Sequence, residues 1–221
     1  LKDSNPLDVK DPKEALRAAK AQGAYIIWNH PGWAVDSTFI REFQKEVIEE
    51  GLIDGIEVFN NTEFYPRAVA WAVEKRLAMI AATDAHGSIE KGKLDALGVM
   101  RPLTIVLAKE RSPEGIREAL QSGRTIAVFN NIIAAKEELA KAFVNSCLVV
   151  EKIGISGKNT DYIIHNKANI PFHVKFGKRE LFIGRATSVR FSAPSNNSKQ
   201  NFLFLNIFVN ENELLAHDLQ F

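Results

Sequence analysis

Hydrophobic positions follow two regimes along this chain, and the change falls near Asn145. Upstream, short apolar runs alternate with stretches of helical spacing. Ala24 to Asn29, Ile56 to Phe59, Leu77 to Thr83, Leu103 to Leu107 and Thr125 to Phe129 are compact apolar runs of strand length. Between them lie segments whose apolar residues recur three and four apart. Asp11-Pro12-Lys13-Glu14 marks a helix start: Asp11 can cap, Pro12 suits the first helical position, and Glu14 can reach back to a free N–H. Gly23 ends that helix. Ser37 to Glu50 predicts a second, with Phe39, Ile40, Phe43, Val47 and Ile48 on one side and Gly51 as its stop. Phe64 to Arg76 predicts a third, Ser112 to Gln121 a fourth, and Ile133 to Phe143 a fifth. A polar loop rich in glycine and lysine spans Gly87 to Gly98.

Repeated strand–helix units of this size imply an α/β fold with a parallel sheet, open or closed into a barrel. Five strands are about half of a closed (β/α) barrel. From Cys147 onward the runs are short, alternating or fully apolar: Val149 to Ile155, Phe172 to Phe176, Thr187 to Phe191 and Phe202 to Val209. Turn residues separate them at Gly157-Lys158-Asn159, Gly177-Lys178 and Pro194-Ser195-Asn196-Asn197. This predicts a small antiparallel β module. The expected domains are therefore 1–146 and 147–221.

Composition narrows the function classes. The chain is 46% hydrophobic and 25% charged, as in globular proteins, and 221 residues can hold one large domain or a domain plus a small one. Lys plus Arg is 28 and Asp plus Glu is 27, so no strong field exists to attract nucleic acid or an anionic membrane. No apolar run reaches the length of a membrane span. The single Cys147 excludes an internal disulfide framework and a cysteine-based zinc site. The chain starts at Leu1 and its methionines are Met79 and Met100, so an upstream segment is expected. Localisation, cytoplasmic or periplasmic, is not readable.

The candidate chemistry sits past strand ends, where α/β proteins bind ligands. His30 follows Ile26-Ile27-Trp28-Asn29, and Asp84 and His86 follow Met79 to Thr83. In an extended segment residues two apart share a side, so the carboxylate of Asp84 and the imidazole of His86 could face one metal or two adjacent ones. Such ligands suit zinc, manganese or iron. Taken alone, each has a simpler reading: an aspartate capping a turn, or a loop histidine bonded to a carbonyl. Pro31 biases His30 toward an extended conformation. Glu57 alternates with Ile56 and Val58, and a buried charge there needs partners; it could orient a metal-binding histidine from behind. Asn60 and Asn61 at the same strand end could bind substrate oxygens or simply make a turn. Arg67, Lys91, Lys93 and Arg101 could meet a phosphate from the loops, or be solvated. Trp28 and Trp33 flank His30 and could wall a pocket. No Gly-x-Ser-x-Gly elbow, Walker loop or dinucleotide fingerprint is present.

The order His-Pro, Gly-Ile-Glu-Val, Asp-x-His at successive strand ends resembles the PHP (polymerase and histidinol phosphatase) superfamily over about Asp11 to Phe143. Arg124-Thr125, followed by Asn130-Asn131, resembles more narrowly the bacterial PHP-type phosphodiesterases with a C-terminal β module. The resemblance implies the C-terminal part of a distorted (β/α)₇ barrel. It implies two or three divalent metal ions and phosphoester hydrolysis by a metal-activated water. It places metal ligands at His30, Asp84 and His86, with Asp84 also positioning the hydroxide; Glu57 is a landmark of the Gly-Ile-Glu-Val strand. The family opens with His-x-His, and residues 1 to 29 contain no histidine. Those early ligands either lie upstream of Leu1, which the missing Met and the strand count favour, or are lost from this protein; the 221 residues alone are expected to be inactive.

The expected function is thus metal-dependent phosphoester hydrolysis. The substrate would be a small-molecule or nucleotide phosphoester, held by Asn60, Asn61 or Arg67, and self-association is compatible with the sequence. Two alternatives stand beside it: a non-catalytic PHP-like scaffold or binding module, and a metal-dependent hydrolase of C–N or ester bonds.

Overall fold

The computed structural model describes residues 1–33, 38–88, 100–195 and 200–219. They form a mixed α/β protein of two compact units, Leu1–Phe129 and Asn130–Phe221.

In the first unit the elements run α1 (Pro12–Ala21), β1 (Ile27–Trp28), α2 (Glu42–Glu49), β2 (Gly55–Asn60), β3 (Glu63–Phe64), α3 (Pro66–Glu74) and β4 (Ala78–Ala82). The Asp11 carboxylate accepts the Lys13 N–H at 2.9 Å and starts α1, with Pro12 in its first turn. β2 lies between β1 and β4, parallel to both, with Trp28 opposite Ile56 and Ile56 opposite Met79. Every residue of β2 is buried, as a central parallel strand requires. Ala68, Val69 and Ala72 of α3 are buried with it. Asp54 sets the start of all three strands. Its carboxylate takes the Ile26 N–H at 2.7 Å and Lys20 Nζ at 2.6 Å, and its carbonyl takes the Ala78 N–H at 2.9 Å.

β1 is two residues long, where a strand over Ala24 to Asn29 is expected. α2 starts at Glu42, not Ser37: Thr38 to Arg41 are not helical, Arg41 is extended, and Ser37 lies outside the described residues. The loop expected over Gly87 to Gly98 lies outside them from Glu90 on, as do residue 89, Lys91 and Lys93.

β5 (Leu103–Val106), α4 (Pro113–Gln121) and β6 (Thr125–Phe129) complete this unit. The strand–helix rhythm predicts a parallel β5–β6 pair; the pairing is antiparallel, with Val106 opposite Thr125. The connection goes out and returns. Leu107 N–H meets the Arg124 carbonyl at 3.0 Å, and Arg124 Nε meets the Leu107 carbonyl at 3.1 Å, so the helix begins and ends at one edge. Gly123, at φ 63°, makes the final reversal. The Thr104 hydroxyl links β5 to β4, accepting the Ala81 N–H at 2.9 Å and donating to the Ala81 carbonyl at 3.0 Å.

The second unit opens with β7 (Ile132–Ala135) and α5 (Glu137–Cys147). The helix expected over Ile133 to Phe143 is therefore half strand. Ile133 and Ala134 pair in parallel with Ile207 and Phe208, which claims this apolar run for a sheet. A four-residue apolar run carries no period that separates strand from helix. α5 packs on β7, β8 (Leu148–Ser156), β13 (Gln200–Asn210) and β14 (Glu213–Leu219), which groups it with this unit and not with the chain before it. β8, β9 (Asn159–Asn166) and β12 (Ser188–Pro194) form one antiparallel sheet. β10 (Phe172–Phe176), β11 (Arg179–Ile183), β13 and β14 form antiparallel pairs of a second. Phe172, Phe202 and Phe204 fill the core, with the Phe172 and Phe204 rings edge to face at 6.1 Å. Among the described residues, no helix is long and apolar enough to cross a membrane.

Candidate functional site

Three neighbouring parallel strands end on one rim, and each passes into a residue with positive φ: His30 (29°) after β1, Asn61 (51°) after β2, Asp84 (51°) after β4. Non-glycine residues there are strained, and such strain collects at functional loops. The expected extended conformation of His30 is not adopted. Its backbone N–H is drawn onto Glu57 Oε2 at 2.6 Å, and its carbonyl accepts the Trp33 N–H at 3.0 Å, closing a tight turn.

Glu57 is 4% exposed. Its partners follow from an irregularity in β2. Glu57 pairs with Ile80 and Phe59 with Ala81, so Val58 is an extra residue and the strand bulges. In a regular strand residues 57 and 60 face opposite sides. The bulge turns Asn60 to the Glu57 side, where Asn60 Nδ2 donates to Glu57 Oε2 at 2.9 Å. Glu57 thus holds the backbone of the His30 turn. Asn60 is buried and engaged by Glu57, Asn61 is exposed, and its N–H meets the Ala82 carbonyl at 3.0 Å, tying the ends of β2 and β4 together.

Asp84 and His86 are exposed. They do not form the extended pair that their spacing predicts. The chain turns at Asp84, and His86 Nδ1 lies 2.8 Å from the Asp84 carbonyl, which leaves Nε2 as the outward nitrogen. Arg67 donates to the Thr38 carbonyl at 2.9 Å.

Tyr65 and Glu63 are absent from the sequence reading. The Tyr65 hydroxyl donates to the Glu63 carboxylate. Its phenol is pushed well above the usual range, first by burial, then by the Glu63 hydrogen bond and the charges of Glu63, Glu57 and Asp84. The Glu63 carboxylate is thus the direct partner of a phenol that stays protonated. The His30 turn lies against the same ring: a Cβ at Gly32 would fall 2.6 Å from Tyr65 Cε1. The Tyr65 ring thus meets the loop after β1, while its backbone N–H donates to the Val58 carbonyl of β2 at 2.9 Å. Its one signal in the sequence is its place before Pro66, at a helix start beside the rim.

Among the described residues, no group of three or more His, Cys, Asp or Glu is placed to hold a metal ion. His30, Asp84 and His86 thus do not make a complete metal centre in this arrangement.

No protein-family model matches the chain, and no curated protein does. Among solved structures, a two-domain protein from Bacteroides vulgatus ATCC 8482 is similar over the whole chain, with a TM-score of 0.91 and 32% identity. That protein is described as containing a predicted PHP-like metal-dependent phosphoesterase, and 69% of it is covered. At this identity and coverage the chain belongs to the PHP superfamily.

Proposed function

We propose that this chain serves in metal-dependent phosphoester hydrolysis and carries the late-strand share of a PHP site. The observation that supports this most directly is the common rim at which His30, Asn61 and Asp84 leave three adjacent parallel strands. In this reading β1, β2 and β4 belong to the C-terminal part of a distorted (β/α)₇ barrel. His30, Asp84 and His86 are ligands to divalent zinc, manganese or iron. The described residues do not close that centre, so no step is routed through it. When bound, such ions supply a water activated for attack and charge to offset phosphate oxygens.

The chain's own residues set the geometry. Glu57 fixes the backbone of His30. The Nδ1 contact of His86 to a carbonyl presents Nε2, as second partners of metal-binding histidines do. In this reading Asn61 and Arg67 meet substrate oxygens. A second reading, a PHP-like scaffold without catalysis, draws on the internal use of these groups: Glu57 is engaged by two donors and His86 by its own loop.

Phosphate release from p-nitrophenyl phosphate and bis-p-nitrophenyl phosphate, measured on the native protein with Mn²⁺, Zn²⁺ or Fe²⁺, tests the proposal. Release that falls to near background in Asp84→Asn supports it. No release with any metal, alongside cleavage of an amide or carboxylic ester, overturns it in favour of another hydrolase.

A further inference from the structure

The second unit carries a cluster of nucleophilic and titratable side chains that the rim chemistry does not use. In β9, Thr160, Tyr162, Ile164 and Asn166 are buried, which turns Asp161, Ile163 and His165 to the opposite face of the sheet. On that face Ser188 of β12 stands directly opposite His165, and His165 directly opposite Val149 of β8. Glu151, two residues beyond Val149, shares its face and lies diagonal to His165. The three polar side chains meet. Ser188 Oγ is 2.8 Å from His165 Nδ1, and Glu151 Oε2 is 3.4 Å from His165 Nε2. A carboxylate only accepts, so the single proton of a neutral imidazole sits on Nε2 facing Glu151. The Nδ1 lone pair then faces the Ser188 hydroxyl.

A hydroxyl, an imidazole and a carboxylate joined in that order activate a serine, and the arrangement is recognised by geometry on unrelated folds. The template has the acid on Nδ1 and the serine on Nε2. The reversed ring keeps both roles: one nitrogen takes the proton while the other is held by the acid. We propose that Ser188 and His165 form a catalytic site for short-chain carboxylic esters, with Glu151 as its positioning residue. Ser188 Oγ bonds to the ester carbonyl carbon as its proton passes to His165 Nδ1. The ester C–O bond breaks and the leaving alkoxide takes that proton. Water then repeats the sequence: its oxygen bonds to the acyl carbon, its proton passes to Nδ1, and Ser188 Oγ departs and recovers it. Ester and water thus become acid and alcohol. Arg190, exposed on the same face two residues after Ser188, offers N–H donors to the oxyanion. The exposed position of Ser188 suits a short acyl group, since a long one is held by burial. The site uses none of the rim residues and stands or falls apart from the phosphoesterase reading.

Diisopropyl fluorophosphate, which forms an Oγ–P bond with loss of fluoride at activated serines, tests the proposal on the 221-residue chain with EDTA present. Peptide mass spectrometry locates the adduct and times its formation. The expected result is labelling at Ser188 that slows about a hundred-fold or more in His165→Ala. Hydrolysis of p-nitrophenyl acetate is expected to fall together in Ser188→Ala and His165→Ala. Glu151→Gln is expected to slow labelling and to move its pH midpoint lower, because a carboxylate beside an imidazole raises the pH at which the ring protonates. A carboxylate with a merely structural role would leave that midpoint in place. All three side chains lie on the sheet surface, and far-UV circular dichroism confirms that the variants fold. No adduct at Ser188 overturns the proposal. So does an adduct that forms equally fast in His165→Ala, the behaviour of an ordinary surface hydroxyl.

Discussion

A carboxylate 4% exposed is unfavourable unless it is hydrogen-bonded, and Glu57 Oε2 accepts from one backbone and one side-chain donor. Removing the acceptor strands both donors. Glu57→Leu is therefore expected to lower stability by about 1–3 kcal/mol in urea denaturation, with Glu57→Gln losing less because one acceptor oxygen remains. Equal stability of Glu57→Leu and the parent would show that the contact is incidental. Gly32 is the second sensitive position, because a methyl group there meets the Tyr65 ring at 2.6 Å. Gly32→Ala is expected to cost about 1–3 kcal/mol as overpacking and to alter the near-UV signal of the aromatic cluster. An unchanged spectrum and midpoint would mean that the turn and Tyr65 move apart freely. The strand-end positions of His30 and Asp84 and the buried, partnered state of Glu57 were legible in the sequence because each sits at or in an apolar strand. Tyr65 was not, since its contacts are the Glu63 carboxylate two residues before it and a glycine more than thirty residues upstream.

Elements with strong local chemistry were legible, and those decided by pairing were not. Asp11-Pro12 and Ser112-Pro113 start helices as their capping chemistry predicts, with the Ser112 hydroxyl accepting the Gly115 N–H at 3.0 Å. Ile132 to Ala135 could have served either structure, and only its partner β13 makes it a strand. The antiparallel β5–β6 pair was likewise hidden in its connection. That connection carries an ion pair with a pH signature. Arg124 holds the Glu118 carboxyl down to about 2 from its ordinary 4.5, first through the hydrogen bond it donates. A depressed carboxyl pKa contributes stability above about 4.5 that is lost as pH falls toward 2. Melting temperatures measured between pH 5 and pH 2 are expected to fall more steeply in the parent than in Arg124→Gln. Parallel curves would assign the acid sensitivity elsewhere.

At the scale of the whole molecule, a near-neutral chain with 28 basic and 27 acidic residues attracts no polyanion through its net charge, so any phosphate must be held by local groups. Mixed α/β character was readable from the alternating runs, and the β-rich latter part from its turn residues. Where the compact units divide was not, because α5 follows a strand of the second unit and packs on its sheets. Family membership rests on similarity along the whole chain, while the use of the rim is a matter of three side chains. The most direct test is metal analysis of the native protein beside its His86→Ala variant, with phosphoesterase rates taken on the same samples. The account predicts that the variant loses part of the bound metal and nearly all of the rate; unchanged metal content together with an unchanged rate would contradict it.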